Sequence, residues 1–415
     1  MTGRVSTNMT AGGVQLNLRR QEAKVNKANN QIGSQNRIQE LRDDPIAAGH
    51  LVRYQSYVDR ITTFENNAKK LSDEFAVREG YMNSTLDMMQ RIRELAVTGA
   101  NGLYQKDDLR NMAAEIDQLL QQMVQNANAT GPDGNSVFAG TNVKSTAFDI
   151  EMGNVEGSVE PMIASVRYNG NVETNRVEVD EHKYMVNDNV GNRTFWAEKQ
   201  QLFGGRDASS WQAAEDSVIS VDGQKIKIQA GDNVYALAAK INDSDAAVKA
   251  SVDPVTRGLN LMTTDTRQLW LEDVSGSALN DLGIIKDASQ RPPYNLGDST
   301  RLSGGSMFDT VIALRNAMIA GDTESIGGRM IGALDSGINN LVTRLARSGA
   351  EYERAQQNMV RNSAVALATN QMISREGDLD FTKAVTDMKM LEYVYQSTLS
   401  TAGKMYQNSL LNYMR

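Results

Sequence analysis

The chain closes on DFTKAVTDMKMLEYVYQSTLSTAGKMYQNSLLNYMR, Asp380 to Arg415. Apolar residues recur in it every three or four positions: Phe381, Val385, Met388, Leu391, Tyr395, Leu399, Ala402, Tyr406, Leu410 and Tyr413. On a helix that spacing gathers them on one stripe. No Pro interrupts the segment, and Lys383, Lys389, Gln396, Lys404 and Gln407 fall largely off the stripe. A long helix with one apolar face is not stable alone in water, so it needs a partner. The opposite end of the chain offers one. Val14, Leu18, Val25, Ala28 and Ile32 form a second stripe in a segment without Pro. The two termini are expected to pair as a coiled coil, with the rest of the chain hanging from that stem.

Working outward from the termini, Met1 to Gly13 is rich in Thr, Asn and Gly and is expected to be disordered in the free subunit. A first helix is expected from Val14 to about Arg42. Asp43, Asp44 and Pro45 then read as a stop and a restart. Asp44 can accept from the first free N–H groups of the next helix, and Pro45 suits a first helical position, where its missing N–H is not needed. Ile46 to Thr98 sustains one stripe, broken at Gly99 to Gly102, and Asp107 to about Asn128 carries another.

The middle of the chain differs in kind. Gly131-Pro132-Asp133-Gly134 is a turn signal, and Ser136 to Ile150 reads as a hairpin. Short strand-like runs follow at 163–168, 172–179, 218–221, 225–229, 249–252, 259–263 and 269–272, with a helix at 234–242. All 3 Trp lie in this region. Helical spacing returns at 307–319, stopped by Gly321. It resumes from Ser325 to Ser374, where Gly377 ends it and Asp378 or Asp380 caps the last helix.

The expected fold is therefore α+β: an elongated antiparallel helical bundle or coiled coil made by both ends of the chain, with a mainly β insert. Its parts are a terminal segment at 1–44, half of a helical rod at 45–135, the insert at 136–306, the returning half at 307–376, and a terminal coiled-coil helix at 377–415.

Bulk properties narrow the function. The 415 residues exceed one ordinary domain. A net charge of −8 argues against a nucleic-acid partner. There is no Cys, so stability must come from packing or assembly. No apolar run spans a membrane, and Met1 to Gly13 has no signal-peptide core. A mean hydropathy of −0.45 suits exposed helices better than one large core. The 2 His, His50 and His182, are far apart, which suits no zinc site. Asp43-Asp44 and the pair Asp378 and Asp380 are better explained as helix caps than as metal ligands. No nucleophile–base arrangement, phosphate loop or cofactor motif is present, so neither catalytic residues nor a cofactor are expected.

Several local strings resemble the flagellin superfamily. They are Arg4 to Met9, Ile32 through Gly49 with its double Asp, and Gln90-Arg91-Ile92-Arg93-Glu94-Leu95-Ala96-Val97-Thr98-Gly99-Ala100-Asn101-Gly102. The insert from Ser217 to Asp273 resembles a small motif found in some flagellins and hook proteins. Within the superfamily, Pro45 after the double Asp, Val137 to Asn142 with Phe148, and Ser409 to Met414 resemble the hook–filament junction family, the hook-associated protein 3 type. Met307-Phe308-Asp309 to Asp322 also looks like that family's return helix.

The resemblance implies a structural, non-enzymatic adaptor of the bacterial flagellum, exported unfolded to an extracellular or periplasmic location. It implies a homo-oligomeric ring or tube between hook-associated protein 1 and flagellin, and an export chaperone on the C-terminal helix. Filament flagellin itself is the alternative, and a secreted adhesin-type module is a more distant one.

Overall fold

A computed structural model of the chain describes residues 7–413 other than residue 159, with side chains from 12 to 404. The chain divides into two units. One takes residues up to 66 and from 359 onward; the other takes 67–358. Two helices, α2 (Pro45–Ala100) and α9 (Ile331–Gly377), contribute to both.

In the first unit, α1 (Thr7–Ser34) packs along α10 (Phe381–Tyr413). Their inner ends are joined by a β-bridge between Asn36 and Asp378, with Arg37 N donating to Gly377 O at 2.8 Å and Leu379 N to Gln35 O at 2.9 Å. α1 therefore runs into the junction and α10 runs out of it, antiparallel. α1 runs from Thr7 to Ser34 rather than from Val14 to about Arg42, so residues 7–13 correct the expected disordered start and 35–42 the expected helix end, while residues 1–6 lie outside the described residues. Local propensity disfavours Gly12 and Gly13 in a helix, and the packing of α1 on α10 outweighs it.

The second unit is built on the inner part of α2, α3 (Lys106–Ala127), α7 (Met307–Ala320) and the start of α9. Stripe residues of α2 from Leu71 through Phe75, Met82, Met89 and Ile92 are fully buried. Met82, Met89 and Ile92 meet Leu109, Ile116, Leu120 and Met123 of α3 and Phe308, Val311, Leu314 and Met318 of α7 in one core. Ser306 and Asp309 cap α7 reciprocally, and Gly321 ends it in the left-handed conformation at φ 79°. Arg315, completely buried on α7, donates to Asp117 of α3 at 2.6 Å and to the Ile163 carbonyl at 2.8 Å, tying three elements together.

The expected unbroken helix from Ser325 is interrupted. After α8 (Thr323–Ser325), Ile326–Met330 forms a π-helical turn that contains Gly327 and Gly328, and only then does α9 begin. A turn of this kind absorbs one extra residue in the helical ladder, and 3–4 periodicity does not reveal it.

Among the described residues, eleven strands lie in the insert. β1 (Phe148–Gly153) pairs with β2 (Met162–Tyr168), and β3 (Asn175–Asp180) with β4 (Lys183–Asn187). The hairpin expected at Ser136–Ile150 is corrected here. That stretch is mostly turns, with Thr130 bridged to Ser136, and the true hairpin is β1–β2. Gly140 shows why: its φ is 68°, and an added Cβ would lie 2.6 Å from the Asn171 carbonyl oxygen. After α4 (Gly191–Thr194) come β5 (Gln201–Gly204), β6 (Ser217–Val221), β7 (Gln224–Ile228), α5 (Val234–Asp243), β8 (Val248–Val252), β9 (Leu259–Thr263), β10 (Leu271–Ser275), α6 (Ala278–Asp281) and β11 (Thr300–Ser303).

The expected strand–strand–helix–strand–strand unit is present but split between sheets ordered β10-β6-β7 and β11-β5-β9-β8. Asp222 and Gly223 make the β6–β7 turn with φ of 51° and 81°, the two-residue geometry that suits strand twist. A second core lies between these sheets and α5. Trp270 leaves it to pack edge-on against Tyr168, beside the cluster of Phe138, Phe148, Phe195 and Phe308.

Candidate assembly interface

The terminal unit is organised by its junction. Asp44 Oδ1 accepts from Ala47 N at 3.1 Å, and Pro45 opens α2, so the restart forms as the residue types dictate. Asp43 plays another part. Its carboxylate accepts from Gln39 N and Glu40 N and pairs with Lys27 Nζ at 2.5 Å, closing the turn rather than capping the helix. Lys27 first, and then the turn amides, hold the Asp43 carboxyl below its ordinary value. The Ala47 amide first, and then Arg37, do the same for Asp44. Asp380 caps α10 by accepting from Lys383 N at 3.1 Å, while Asp378 sits in the bridge and bonds Ser374.

Arg37 links both connections. Its guanidinium donates twice to the Glu376 carbonyl, at 2.7 and 3.1 Å, and once to Asp44 at 3.2 Å. His50 of α2 faces Glu376 of α9 across 3.2 Å. Nothing in the local sequence marks Arg37 as the link, because the Glu376 carbonyl lies 339 positions away. His182 only occupies the β3–β4 turn, at φ 58°.

The seam follows from the stripes. On α1, Val14, Leu18, Val25, Ala28 and Ile32 are all half-buried, and so is Gln21, which completes the alternation of fours and threes. Gln21 Oε1 is buried without a hydrogen-bond partner. On α10, Val385, Met388, Leu391 and Tyr395 are half-buried and Ala402 is fully buried. Leu399 is 49% exposed and Phe381 56% exposed, which corrects their place in the stripe. A two-helix seam repeats every 3.5 residues, so the position between Tyr395 and Ala402 falls on Thr398, which is half-buried. Phe381 opens the helix, ahead of the seam. The side chains of Tyr406, Leu410 and Tyr413 lie outside the described residues.

Partial burial is the main property of this unit. Helix α2 in the other unit has the same residue spacing, yet its Leu71, Phe75 and Met82 are sealed. In the terminal pair the described apolar seam residues other than Ala402 stay half-covered. The back of α10 adds Met390 at 68% and Tyr393 at 72% exposure. Two helices supply one wall each, whereas sealing a seam takes three or more elements around it.

Residues 5–143 match the bacterial flagellin N-terminal helical region, and residues 218–265 match the flagellin hook IN motif. Flagellin FlaB1 of Treponema pallidum is 29% identical over 136 residues, 33% of this chain, which spans about half (48%) of that protein. Flagellin A of Vibrio anguillarum is 22% identical over 428 residues, covering 100% of each. Flagellar hook-associated protein 3 of Escherichia coli is 23% identical over 282 residues, covering 67% of this chain and 81% of that protein. Among solved structures, a flagellar hook-associated protein 3 from Legionella pneumophila is 13% identical with a TM-score of 0.47, covering 78% of this chain and 97% of that one. The matched families are structural rather than catalytic. The chain thus carries two regions that match flagellin-type models, one in its N-terminal helices and one in its insert, and these relatives are structural proteins of the bacterial flagellum.

Proposed function

We propose that this protein is a hook–filament junction adaptor, joining hook-associated protein 1 on one side to flagellin on the other as a homo-oligomeric ring. The observation that carries the assembly part is the half-covered seam: α1 and α10 leave apolar surface that further copies and neighbours can seal. The stripe residues from Val14 to Ile32 and from Val385 to Ala402 are the proposed contacts. Support for the junction subtype comes from the hook-associated protein 3 alignment, which reaches 81% of that protein. An export chaperone that shields the apolar stripe of α10 before secretion fits the same chemistry.

Filament flagellin is the second reading, favoured by full-length alignment with Vibrio flagellins. Copy number separates the two, because flagellin dominates sheared filaments and a junction protein is a trace band. Deleting the gene is expected to leave hooks and secreted flagellin but few attached filaments. Normal filaments in the deletion strain would refute the junction reading.

A further inference from the structure

The 67–358 unit contains a cavity of about 40 Å³ between α2, β4, α4 and α9. One water needs roughly 10–15 Å³ measured in this way, so the space suits a few waters or one small tetrahedral ion. Its ionisable lining is Arg78, Arg193, Arg344 and Arg347 with Asp188 and Glu351, while Asp222 and Asp265 pair with Arg193 and Arg344 from just outside it. Arg78 is 5% exposed. It donates from Nη2 to Asn187 Oδ1 at 2.5 Å, but its Nε has no acceptor, and no carboxylate lies within ion-pair distance. Burial, the largest influence, draws its guanidinium down to about 10.

Other lining groups share the deficit. The Nε atoms of Arg193 and Arg344 are buried without acceptors, although their Nη groups reach Asp188 at 3.4 Å and Asp265 at 3.1 Å. Ser348 Oγ is also unpartnered. So is one acceptor, Glu351 Oε2. Buried polar atoms left unpaired cost free energy, so this set calls for a ligand that accepts several hydrogen bonds and donates at least one. Sulfate, fully deprotonated near neutrality, can only accept. Inorganic phosphate keeps a P–OH.

We propose that this cavity binds inorganic phosphate, with its oxygens accepting from the guanidinium groups and Ser348 and its P–OH donating to Glu351. The ion would link α2 and α9 to the β4–α4 segment and satisfy the guanidinium donors left without acceptors where those elements meet.

Calorimetric and ³¹P titrations of the full purified chain at constant ionic strength test this. Saturable one-site binding of sodium phosphate is expected, with sodium sulfate at least about tenfold weaker, the worth of one charge-assisted hydrogen bond. Arg347 is exposed at the cavity, and Arg347→Gln should weaken phosphate by about tenfold while leaving the phosphate-free unfolding curve unchanged. Glu351→Gln should abolish the preference over sulfate, since an amide can donate to either ion. Absence of saturation would mean that water fills the cavity. Equal affinity for the two ions, or binding unaltered in both variants, would overturn the assignment.

Discussion

Leu391→Asp separates the stability of one chain from that of the assembly. Leu391 is half-buried in the α1–α10 seam. Full burial of a leucine contributes about 1.5–3 kcal/mol, so the isolated chain should lose only about 1 kcal/mol, with the new carboxylate turned to water. Once neighbours close the seam that escape disappears. The assembled state loses the whole leucine term and must also desolvate an aspartate, so the penalty reaches at least about 4 kcal/mol per subunit, a factor of about 10³ in association.

The matched control is Leu71→Ala. Leu71 is fully buried in the 67–358 unit, and its loss should cost about 3–5 kcal/mol in the isolated chain. Urea unfolding followed by far-ultraviolet circular dichroism gives the first quantity. Counting attached filaments by electron microscopy, in a deletion strain carrying each variant, gives the second. Leu391→Asp should scarcely shift the urea curve of the inner unit yet leave few filaments. Normal filament attachment with stably expressed Leu391→Asp would show that the seam is not buried on assembly.

Further outcomes follow from the same structure. Arg315→Met leaves Asp117 buried without its cation and should cost about 3–5 kcal/mol in urea unfolding, most of it restored by pairing the change with Asp117→Leu. Asp43 and Asp44 are held below their ordinary value of 3.8 in the folded chain, so their contribution is full above that pH and disappears as pH falls through the lower folded values. Protease resistance of the α1–α2 connection should therefore persist down to about pH 4 and fail below it, and Asp44→Asn should flatten the profile. Gly140→Ala places a methyl against the Asn171 backbone at a φ of 68° and should destabilise the inner unit by about 2–3 kcal/mol, read as a lower urea midpoint.

Much of this molecule was legible in one dimension. Helix-period spacing marked every long helix, because a stripe repeated over many turns has no other low-energy use. The Asp44-Pro45 restart, the Gly321 stop and the β6–β7 strands follow from local stereochemistry, which each residue carries wherever it is placed. Features decided by distant partners were not legible. Arg37 matters because Glu376 comes beside it, and Thr398 replaces Leu399 in the seam because two helices set a 3.5-residue repeat that one helix does not have. The π-helical turn at Ile326–Met330 and the division of the insert strands between two sheets depend on what packs around them. Above all, periodicity says that a face is apolar but not how much of it is covered. Leu71 and Leu391 sit in similar stripes, and only the tertiary structure shows that one is sealed within the chain while the other still has surface to bury.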